Sequence, residues 1–447
     1  MEAQYQERKD ELIAECEVAP QILERVRPRL IRFMSPFVDT LARKEQTGHA
    51  QTFVQGLLSD LDNKNVESIA YRFGQDRMPL QRFVGFSKWD DEPLRDELAR
   101  QIGTTLGEED GVIVFDPSAF PKSGQESVGV ARQWCGRLGK VDNCQVGVYM
   151  GYVSSQEHAL VDMRLFLPKV WTKDRKRRQK AGIPKGIRFK TRHQLCLEML
   201  KKHGEMLPHT WIAGDDEMGR PYWFRRRLDR DKEQYLLSVQ STTLVRDLEA
   251  KLPLYSGRGP RPKRPWTRVS EWAASIAEGD WTSIDVRDGA KGPLTIEAVK
   301  RRVVARTDKR QEGHEETLVV IRYKDRDDQS VLKIDYYLSN ANAETELAEF
   351  ARVAKAEHRI EECIQRAKGE AGLADYEVRT WTGWHHHQTL SLIATWFLVT
   401  EARRGKKMDT GDYRSTDPRR HFGNPPTILQ MRYTLPHKCR TPKAIGA

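Results

Sequence analysis

Three carboxylates stand where charged side chains are seldom found, far apart in a chain of 447 residues. Asp116 ends the apolar run 111–115, Asp215 ends the run 210–214, and Glu361 lies in a stretch whose apolar residues have helical spacing. An acid at the end of an apolar strand lies at the rim of a sheet beside a buried core, where an unpaired charge is costly. These positions constrain the possible folds more than any other feature of the sequence.

Composition sets the broad class. The length predicts about three domains. The formal net charge of +11 favours a polyanionic partner, although many proteins with a similar balance have none. The six cysteines include no C-x-x-C pair, which predicts reduced thiols and argues against a zinc site. No signal pattern begins the chain and the apolar run 390–399 is too short to span a membrane, so we expect a cytoplasmic protein.

Hydrophobic patterns divide the chain into five predicted segments. Residues 1–108 have helical spacing and are predicted to form a helical DNA-binding domain, although generic helical packing fits the same pattern. Residues 109–240 contain three antiparallel strand patterns, a helix and a further strand, which is the order of an RNase H-like core. Residues 241–342 form a predicted β-rich insertion, helices return in 343–402, and 403–447 is a basic tail. The predicted fold class is therefore α/β, with an RNase H-like catalytic core interrupted by the insertion.

Each strand-end acid has a simpler interpretation. Asp116 could open a turn before Pro117, and Asp215 or Asp216 could cap the helix predicted to start near Met218. Asp216 is the better predicted cap because it is closer to the helix, which leaves Asp215 as the better ligand.

The third acid has four candidates, which are Glu361, Glu362, Glu370 and Glu377. On a helix, Glu361 shares a stripe with Lys368 that borders the apolar face, whereas Glu362 lies on a solvated face. Glu361 is therefore predicted to point towards the other two acids. Lys368 is either a surface lysine or a contact to a DNA phosphate.

A set of carboxylates without Cys or His suits hard divalent cations such as Mg²⁺ or Mn²⁺. Two such ions can deprotonate the nucleophile that attacks a phosphodiester and neutralise the leaving oxygen, so no side chain need act as a general base. The three acids therefore predict a metal-dependent nuclease with two ions in its active site.

Three stretches make the chain similar to the DDE transposases of bacterial insertion sequences. They are 115–124 with 127–136 and 143–147, then 211–219, then 359–362 with 368–373 and 376–381. The resemblance implies an RNase H-like core with Asp116, Asp215 and Glu361 as metal ligands. It also implies cut-and-paste transposition, in which the protein binds terminal inverted repeats, cleaves the double-stranded DNA there and joins 3′-OH ends to target DNA. A homodimer on paired ends and a nucleoid-associated, bacterial location are expected for the same reason.

One lineage of these transposases has a Tyr-Arg-Glu-Lys signature, in which Lys follows Glu by seven residues. Glu361 and Lys368 match this spacing, but Ala354 and Glu357 occupy the Tyr and Arg positions. The phosphate-contacting role of that Arg is therefore not carried over. Its candidate substitutes are Arg352, Arg359 and Arg379.

Basic runs at 173–192, 258–268 and 403–407 favour phosphate contacts, although charge runs are usually solvated loops. The predicted DNA-contacting residues are Lys122, Arg132, Arg175, Lys176, Arg177, Arg178, Arg261, Lys263, Arg264, Trp266, Arg359 and Arg379. Many relatives form hairpin ends, which require an aromatic side chain to hold a flipped base. Trp266, Trp272 and Trp281 are the candidates, and each could instead be a packing residue.

Two other functions fit parts of the sequence. A transposase-derived DNA-binding protein without catalysis is disfavoured by the three intact acids. A structure-selective nuclease without strand transfer is disfavoured by the long insertion. The histidines 385–387 point in three directions on a helix and cannot share one ion well, so we expect them to pack or to contact the backbone.

Overall fold

The structure is a computed structural model that describes residues 20–411 apart from 256, 260, 287–293 and 326–329. Its first part is helical, as the apolar spacing predicts. The helices are α1 (Pro20–Val38), α2 (Lys44–Leu57), α3 (Val66–Arg72), α4 (Arg77–Gly85) and α5 (Glu92–Leu106). The side chains of Asn65 and Asp76 begin α3 and α4 by accepting hydrogen bonds from the N–H groups of Ser68 and Met78.

A mixed sheet of twelve strands runs through the described residues. The strands are β1 (Val112–Pro121), β2 (Ala131–Cys135), β3 (Lys140–Val153), β4 (His158–Leu165), β5 (Trp211–Gly214), β6 (Gln234–Ser238), β7 (Leu244–Asp247), β8 (Thr267–Arg268), β9 (Thr282–Val286), β10 (Leu294–Arg306), β11 (Glu312–Lys324) and β12 (Val331–Ser339). Their order is β2-β3-β1-β5-β6-β12-β11-β10-β7-β8, with β4 beside β3 and β9 beside β10. β5 is parallel to β1 and to β6.

Helices between and after these strands complete the fold. They are α6 (Lys169–Lys173), α7 (Arg175–Lys180), α8 (Arg192–His203), α9 (Asp216–Gly219), α10 (Tyr222–Arg230), α11 (Val269–Ala274), α12 (Leu347–Glu370) and α13 (Trp381–Gly411). Residues 112–115 and 211–214 are buried without alternation, which is typical of parallel strands covered on both faces. α12 packs against β1 and β5, and this contact brings the late helix to the strand that contains Asp116 and to the strand that Asp215 follows.

The strands predicted as an insertion extend the central sheet. β12 pairs with β6 through Tyr337–Ser339, and β11 and β10 continue outward from it. A buried ion pair fixes this junction, because the Arg225 guanidinium binds Glu316 and the Tyr235 hydroxyl donates to the same carboxylate at 2.7 Å. Outer strands have a smaller apolar core of their own, which includes Val245, Trp272 and Leu318.

Chain contacts place the described residues up to Thr400 in one compact unit and those from Glu401 in another. The predicted boundaries at 108, 240 and 342 fall within the first unit, so this division into domains stays a prediction. No helix in the described part of the chain has both the length and the apolar character that a membrane span requires.

Candidate active site

The prediction that Asp116 ends its strand is wrong, because β1 continues to Pro121; Asp116 lies within β1, beyond the point where the strand pairs with β5. Because Phe115 is paired with Gly214, Asp116 and Asp215 follow at the same edge of two parallel strands. Burial raises the pKa of Asp116 well above its ordinary value, and the negative charges of Asp215 and Glu361 raise it further. Lys368 acts in the opposite direction. The structure thus brings the predicted acids and the predicted lysine into one electrostatic neighbourhood.

Asp215 ends β5 and begins α9. One of its carboxylate oxygens accepts a hydrogen bond from the Met218 N–H at 3.0 Å. The prediction that Asp216 caps this helix is wrong, because Asp216 is exposed in the first turn while Asp215 makes the cap. Burial raises the pKa of Asp215 to about 7, with the Met218 N–H lowering it and Glu217 raising it.

The late helix α12 contributes two acids to this neighbourhood. Glu361 is exposed, and its carboxylate lies 3.6 Å from Nδ1 of His358. Glu357 lies one turn earlier on the same face and is more enclosed. Burial raises its pKa well above the ordinary value, and the charges of Asp215, Glu361 and Asp116 add to the rise. We call Asp116, Asp215, Glu357 and Glu361 the acidic cluster.

Sequence reasoning missed Glu357 as a site residue. Glu357 stands where a related signature has an arginine, but it is four residues before Glu361 and therefore on the same helical stripe. A search for acids spaced by one turn along α12 would have found it.

A cleft of about 670 Å³ opens beside the acidic cluster. It is bordered on one side by Asp215, Glu357 and Glu361, and on the other by residues of β12. β6 ends at Ser238 and pairs only with the last residues of β12, so the earlier residues of β12 extend beyond β6 and line the cleft. The β12 side carries Lys333, Asp335 and Tyr336.

Lys368 contacts the strand that carries Asp116. Its ammonium donates a hydrogen bond to Oγ of Ser118 at 2.8 Å and lies 5.2 Å from the centre of the Phe120 ring. Burial lowers the pKa of Lys368, and the charge of Asp116 counters this effect. The lysine is therefore fixed next to the acids by the strand that carries Asp116.

Lys122, a predicted DNA contact, is half-buried and contacts other residues of the protein. Its ammonium donates to the carbonyl of Tyr376 at 3.1 Å and lies 3.6 Å from the centre of that ring. Burial lowers the pKa of Lys122 to about 8. These contacts give the side chain a role in fixing the segment before α13.

The basic run at 173–192 divides into two kinds of residue. Arg177 stacks on Trp171 with 3.8 Å to the ring centre, and Arg178 donates to the carbonyl of Ile187 at 2.9 Å. Arg175 and Lys176 are exposed. Outside this run, the predicted contacts Arg132 and Arg379 are exposed and Arg359 is half-buried.

The basic side chains of the run at 258–268 largely contact other residues of the chain. Arg264 donates to the carbonyl of Ala250 at 2.8 Å, and Lys263 lies 3.4 Å from Glu312, while Arg261 is exposed. Trp266 is half-buried, with the Arg246 guanidinium 4.3 Å from its ring centre.

The other two tryptophans considered for base holding are engaged elsewhere. Trp272 is buried and donates to Asp247 at 3.0 Å, and Trp281 packs under the Arg322 guanidinium at 4.1 Å. The histidines 385–387 are buried against backbone carbonyls, which confirms the prediction that they pack.

Comparison with known proteins identifies the family. Residues 36–293 match the DDE superfamily endonuclease family, a range that includes Asp116 and Asp215 and ends before α12. The chain belongs to the DDE superfamily of endonucleases. This membership confirms the family that the sequence motifs predict. The chain is also 35% identical over 94 residues to the probable transposase for insertion sequence element IS701 of Microchaete diplosiphon. That match spans 21% of this chain and 25% of the relative, so the chain covers about a quarter of the curated relative's length.

Nucleases of the DDE type generally use divalent metal ions. Among the described residues, no three His, Cys, Asp or Glu side chains stand close enough together to enclose an ion unaided. The chemistry of the acidic cluster nevertheless fits a hard cation, because its carboxylates raise one another's pKa and offer oxygen ligands only. An ion that keeps several waters needs few carboxylates from the protein.

Proposed function

We propose that this chain is a DNA transposase that binds the terminal inverted repeats of an insertion sequence, cleaves the DNA there and joins the 3′-OH ends to target DNA. The observation that carries the proposal is the acidic cluster beside an open cleft, with Lys368 near Asp116. Carboxylates that raise one another's pKa in a cleft are typical of sites that take up a cation. The family and the similarity to a transposase support the same function.

In this proposal, Asp116, Asp215 and Glu361 hold two Mg²⁺ or Mn²⁺ ions. The bound ions would supply activation of the attacking hydroxyl and neutralisation of the leaving oxygen. The Met218 N–H restricts the rotation of the Asp215 carboxylate and so presents its second oxygen in a defined direction. Lys368, oriented by Ser118, would bind a phosphate oxygen of the DNA.

Glu357 would act as a fourth carboxylate in the same site. It is more enclosed than Glu361, and its pKa responds to Asp215 more than to any other charge. We expect Glu361→Gln to remove cleavage and Glu357→Gln to raise the Mg²⁺ concentration needed for it. The reverse pattern in a Mg²⁺ titration of the two variants would reassign the third ligand to Glu357.

Exposed basic residues would position the DNA on this site. Arg132, Arg175, Lys176 and Arg379 are open to solvent and suit phosphate contacts, which would make DNA affinity fall steeply with salt. Trp266 is the better candidate for holding a flipped base if hairpin ends form, because Trp272 is buried in the outer core. Pairing of two element ends would use a homodimer.

The deciding experiment incubates the protein and Mg²⁺ with duplex DNA that carries the element's terminal repeats and a second duplex as target. We expect wild type to yield cut ends and joined products, and Asp116→Asn to yield neither. Asp231→Asn, an exposed acid paired with Arg227, is the matched control and should behave as wild type. Absence of cleavage by wild type would refute the enzymatic proposal, whereas cut ends without joined products would indicate a nuclease.

A further inference from the structure

The turn that follows Asp215 is short and depends on contacts from other parts of the chain. α9 is a single turn, in which the Gly219 N–H donates to the Asp215 carbonyl at 3.0 Å and the Met218 N–H donates to the Asp215 carboxylate. Nε2 of His193 donates to the carbonyl of Glu217 at 2.9 Å. Because one isolated helical turn is unstable by itself, its neighbours determine where the Asp215 carboxylate points.

The end of this turn lies directly against the end of β6. A Cβ atom at Gly219 would stand 1.8 Å from the carbonyl oxygen of Ser238, so only glycine fits at this position. The contact leaves no room for the turn to shift towards the sheet.

Arg225 of α10 contacts the same turn from inside the protein. Its side chain is 2% exposed, and Nη1 donates to the carbonyl of Gly219 and, at 3.4 Å, to that of Arg220. Its other two nitrogens, Nε and Nη2, donate to the two carboxylate oxygens of Glu316 at 2.7 Å and 3.3 Å. The guanidinium therefore joins the end of α9 to strand β11.

Glu316 is fixed in turn by two strands. It is fully buried, and the Tyr235 hydroxyl of β6 donates to it at 2.7 Å. Nε2 of His314 lies 3.1 Å from the Tyr235 oxygen, and it is the donor in this contact because the hydroxyl hydrogen is already used for Glu316. The carboxylate that orients Arg225 therefore has a defined position of its own.

The ion pair offers this site something that apolar packing cannot. A buried ion pair usually stabilises a fold no better than apolar side chains of the same size, since both charges lose their hydration. Here the pair also directs a charged donor at the backbone carbonyl of Gly219, which an apolar side chain could not do. Groups that orient metal ligands in this indirect way typically contribute roughly 10- to 100-fold to metal affinity or activity.

We infer that Arg225, held by Glu316, is a positioning residue that fixes the turn after Asp215 and thereby sets the affinity of the acidic cluster for divalent ions. The inference rests on the proposed function for the role of Asp215 as a metal ligand. Because Glu316 belongs to β11, the strands predicted as an insertion take part in forming the metal site.

The test uses the double variant Arg225→Met, Glu316→Gln, which removes both charges together and leaves neither of them buried without its partner. The introduced amide still offers Tyr235 an acceptor. Hydrogen–deuterium exchange of the metal-free protein reports on the turn directly. We expect the amides of 216–220 to exchange roughly 10-fold faster than in wild type, while those of β1 and β5 keep their protection.

Ion binding and cleavage are measured on the same proteins. We expect isothermal titration calorimetry to show a roughly 10- to 100-fold weaker affinity of the double variant for Mn²⁺. The Mn²⁺ concentration that gives half-maximal cleavage should rise by the same factor, while DNA affinity in a chelator stays unchanged. Arg225→Lys keeps the charge beside Glu316, but one ammonium cannot replace the planar guanidinium at both partners, so its values should be intermediate.

Arg322→Met, Glu297→Gln is the matched control, because Arg322 is a buried arginine of β11 that binds Glu297 and Glu278 and not the turn. It should match wild type in exchange at 216–220 and in Mn²⁺ affinity. Circular dichroism with a melting curve shows whether each variant is folded.

A folded double variant with wild-type exchange at 216–220, or with wild-type Mn²⁺ affinity, overturns the inference. Faster exchange throughout the sheet also overturns it, because the pair would then hold the fold as a whole. If the double variant does not fold, Arg225→Lys is measured in the same way, and wild-type values for it overturn the inference.

The two proposals fail in different ways. Weaker Mn²⁺ binding by the double variant, in a protein whose wild type never cuts DNA, would retain the positioning role and refute the proposed function. Cleavage with the same Mn²⁺ requirement in wild type and double variant would retain the function and refute the positioning role.

Discussion

Two clusters of charged side chains lie around the same sheet, and their carboxylates have opposite surroundings. The paired cluster, made of Arg95, Asp162, Arg164 and His203, joins α5, β4 and α8. Its central carboxylate is fully buried and accepts hydrogen bonds from Arg95 at 2.7 Å and Arg164 at 2.6 Å. His203 lies 3.0 Å from its other oxygen. The acidic cluster instead places carboxylates next to carboxylates.

The difference is visible in the pKa values. The guanidinium groups of Arg164 and Arg95 hold the pKa of Asp162 well below its ordinary value despite burial. Burial and neighbouring acids hold the pKa of Asp116 well above it. A charge that the protein itself neutralises serves the fold, whereas a charge left for something else to neutralise marks a binding site.

The largest expected effect separates activity from stability at Asp116. Asp116→Asn removes a proposed metal ligand, so cleavage should fall by on the order of 10³-fold or more. The free energy of unfolding without divalent ions should not decrease, because the change removes repulsion within the acidic cluster. Cleavage assays and urea unfolding in a chelator check both statements. A large loss of stability would show that Asp116 has a structural role instead.

The second largest expected effect is a loss of stability without a loss of cleavage, at Asp162. Asp162→Asn removes the carboxylate of the half-buried Arg164 and leaves the buried Arg95 with Asp91 as its remaining partner, which should cost about 3–5 kcal/mol of unfolding free energy. Urea unfolding measures this loss, with the more exposed Asp96→Asn as the control in the same network. Cleavage per folded molecule should change little. Unchanged stability would show that the pair does not hold α5 to the sheet.

The two clusters should also give opposite pH dependence. Asp215 has a folded pKa of about 7, above its ordinary 3.8, so the folded state binds more protons between these values. Without metal, the unfolding free energy should therefore fall as pH rises through this window, and Asp215→Asn should flatten that fall. Asp162, with a lowered pKa, contributes stability above about pH 4 that is lost as pH falls through its folded pKa. Parallel slopes for wild type and Asp215→Asn would contradict the assignment.

The smallest effect is stabilisation by divalent ions. Mg²⁺ or Mn²⁺ binding to the folded state should raise the melting temperature of wild type by about 1–3 °C. Asp116→Asn should show a smaller rise, and Asp162→Asn should keep the full rise. Thermal melts with and without a chelator make the comparison. An equal rise in Asp116→Asn would place the bound ion outside the acidic cluster.

Much of the site follows from local sequence. The apolar runs that precede Asp116 and Asp215 could be recognised because the buried strands of a parallel sheet are continuously apolar. Their adjacency could be expected because both acids follow such runs, but the register of Phe115 with Gly214 was needed to establish it. The cap of α9 was assigned to the wrong residue, since proximity to the helix does not show which side chain reaches the free N–H.

Other parts required the fold. Glu357 is one of many acids in the sequence, and only the packing of α12 against β1 and β5 shows that it is enclosed among them. The basic runs also required the fold, because the sequence does not show which of their side chains are exposed. Arg177, Arg178 and Arg264 bind carbonyls or rings of their own chain, and a count of charges cannot distinguish them from the exposed Arg175.

The sequence by itself determined the class of this protein, because acids that follow apolar runs and family motifs are local features that can be recognised without coordinates. It also predicted a site made of carboxylates. Tertiary structure alone decided which charges are neutralised within the protein and which remain for a ligand. Electrostatic partners are fixed by distance and burial, and residues such as Asp162 and Arg95 meet across 67 positions of sequence.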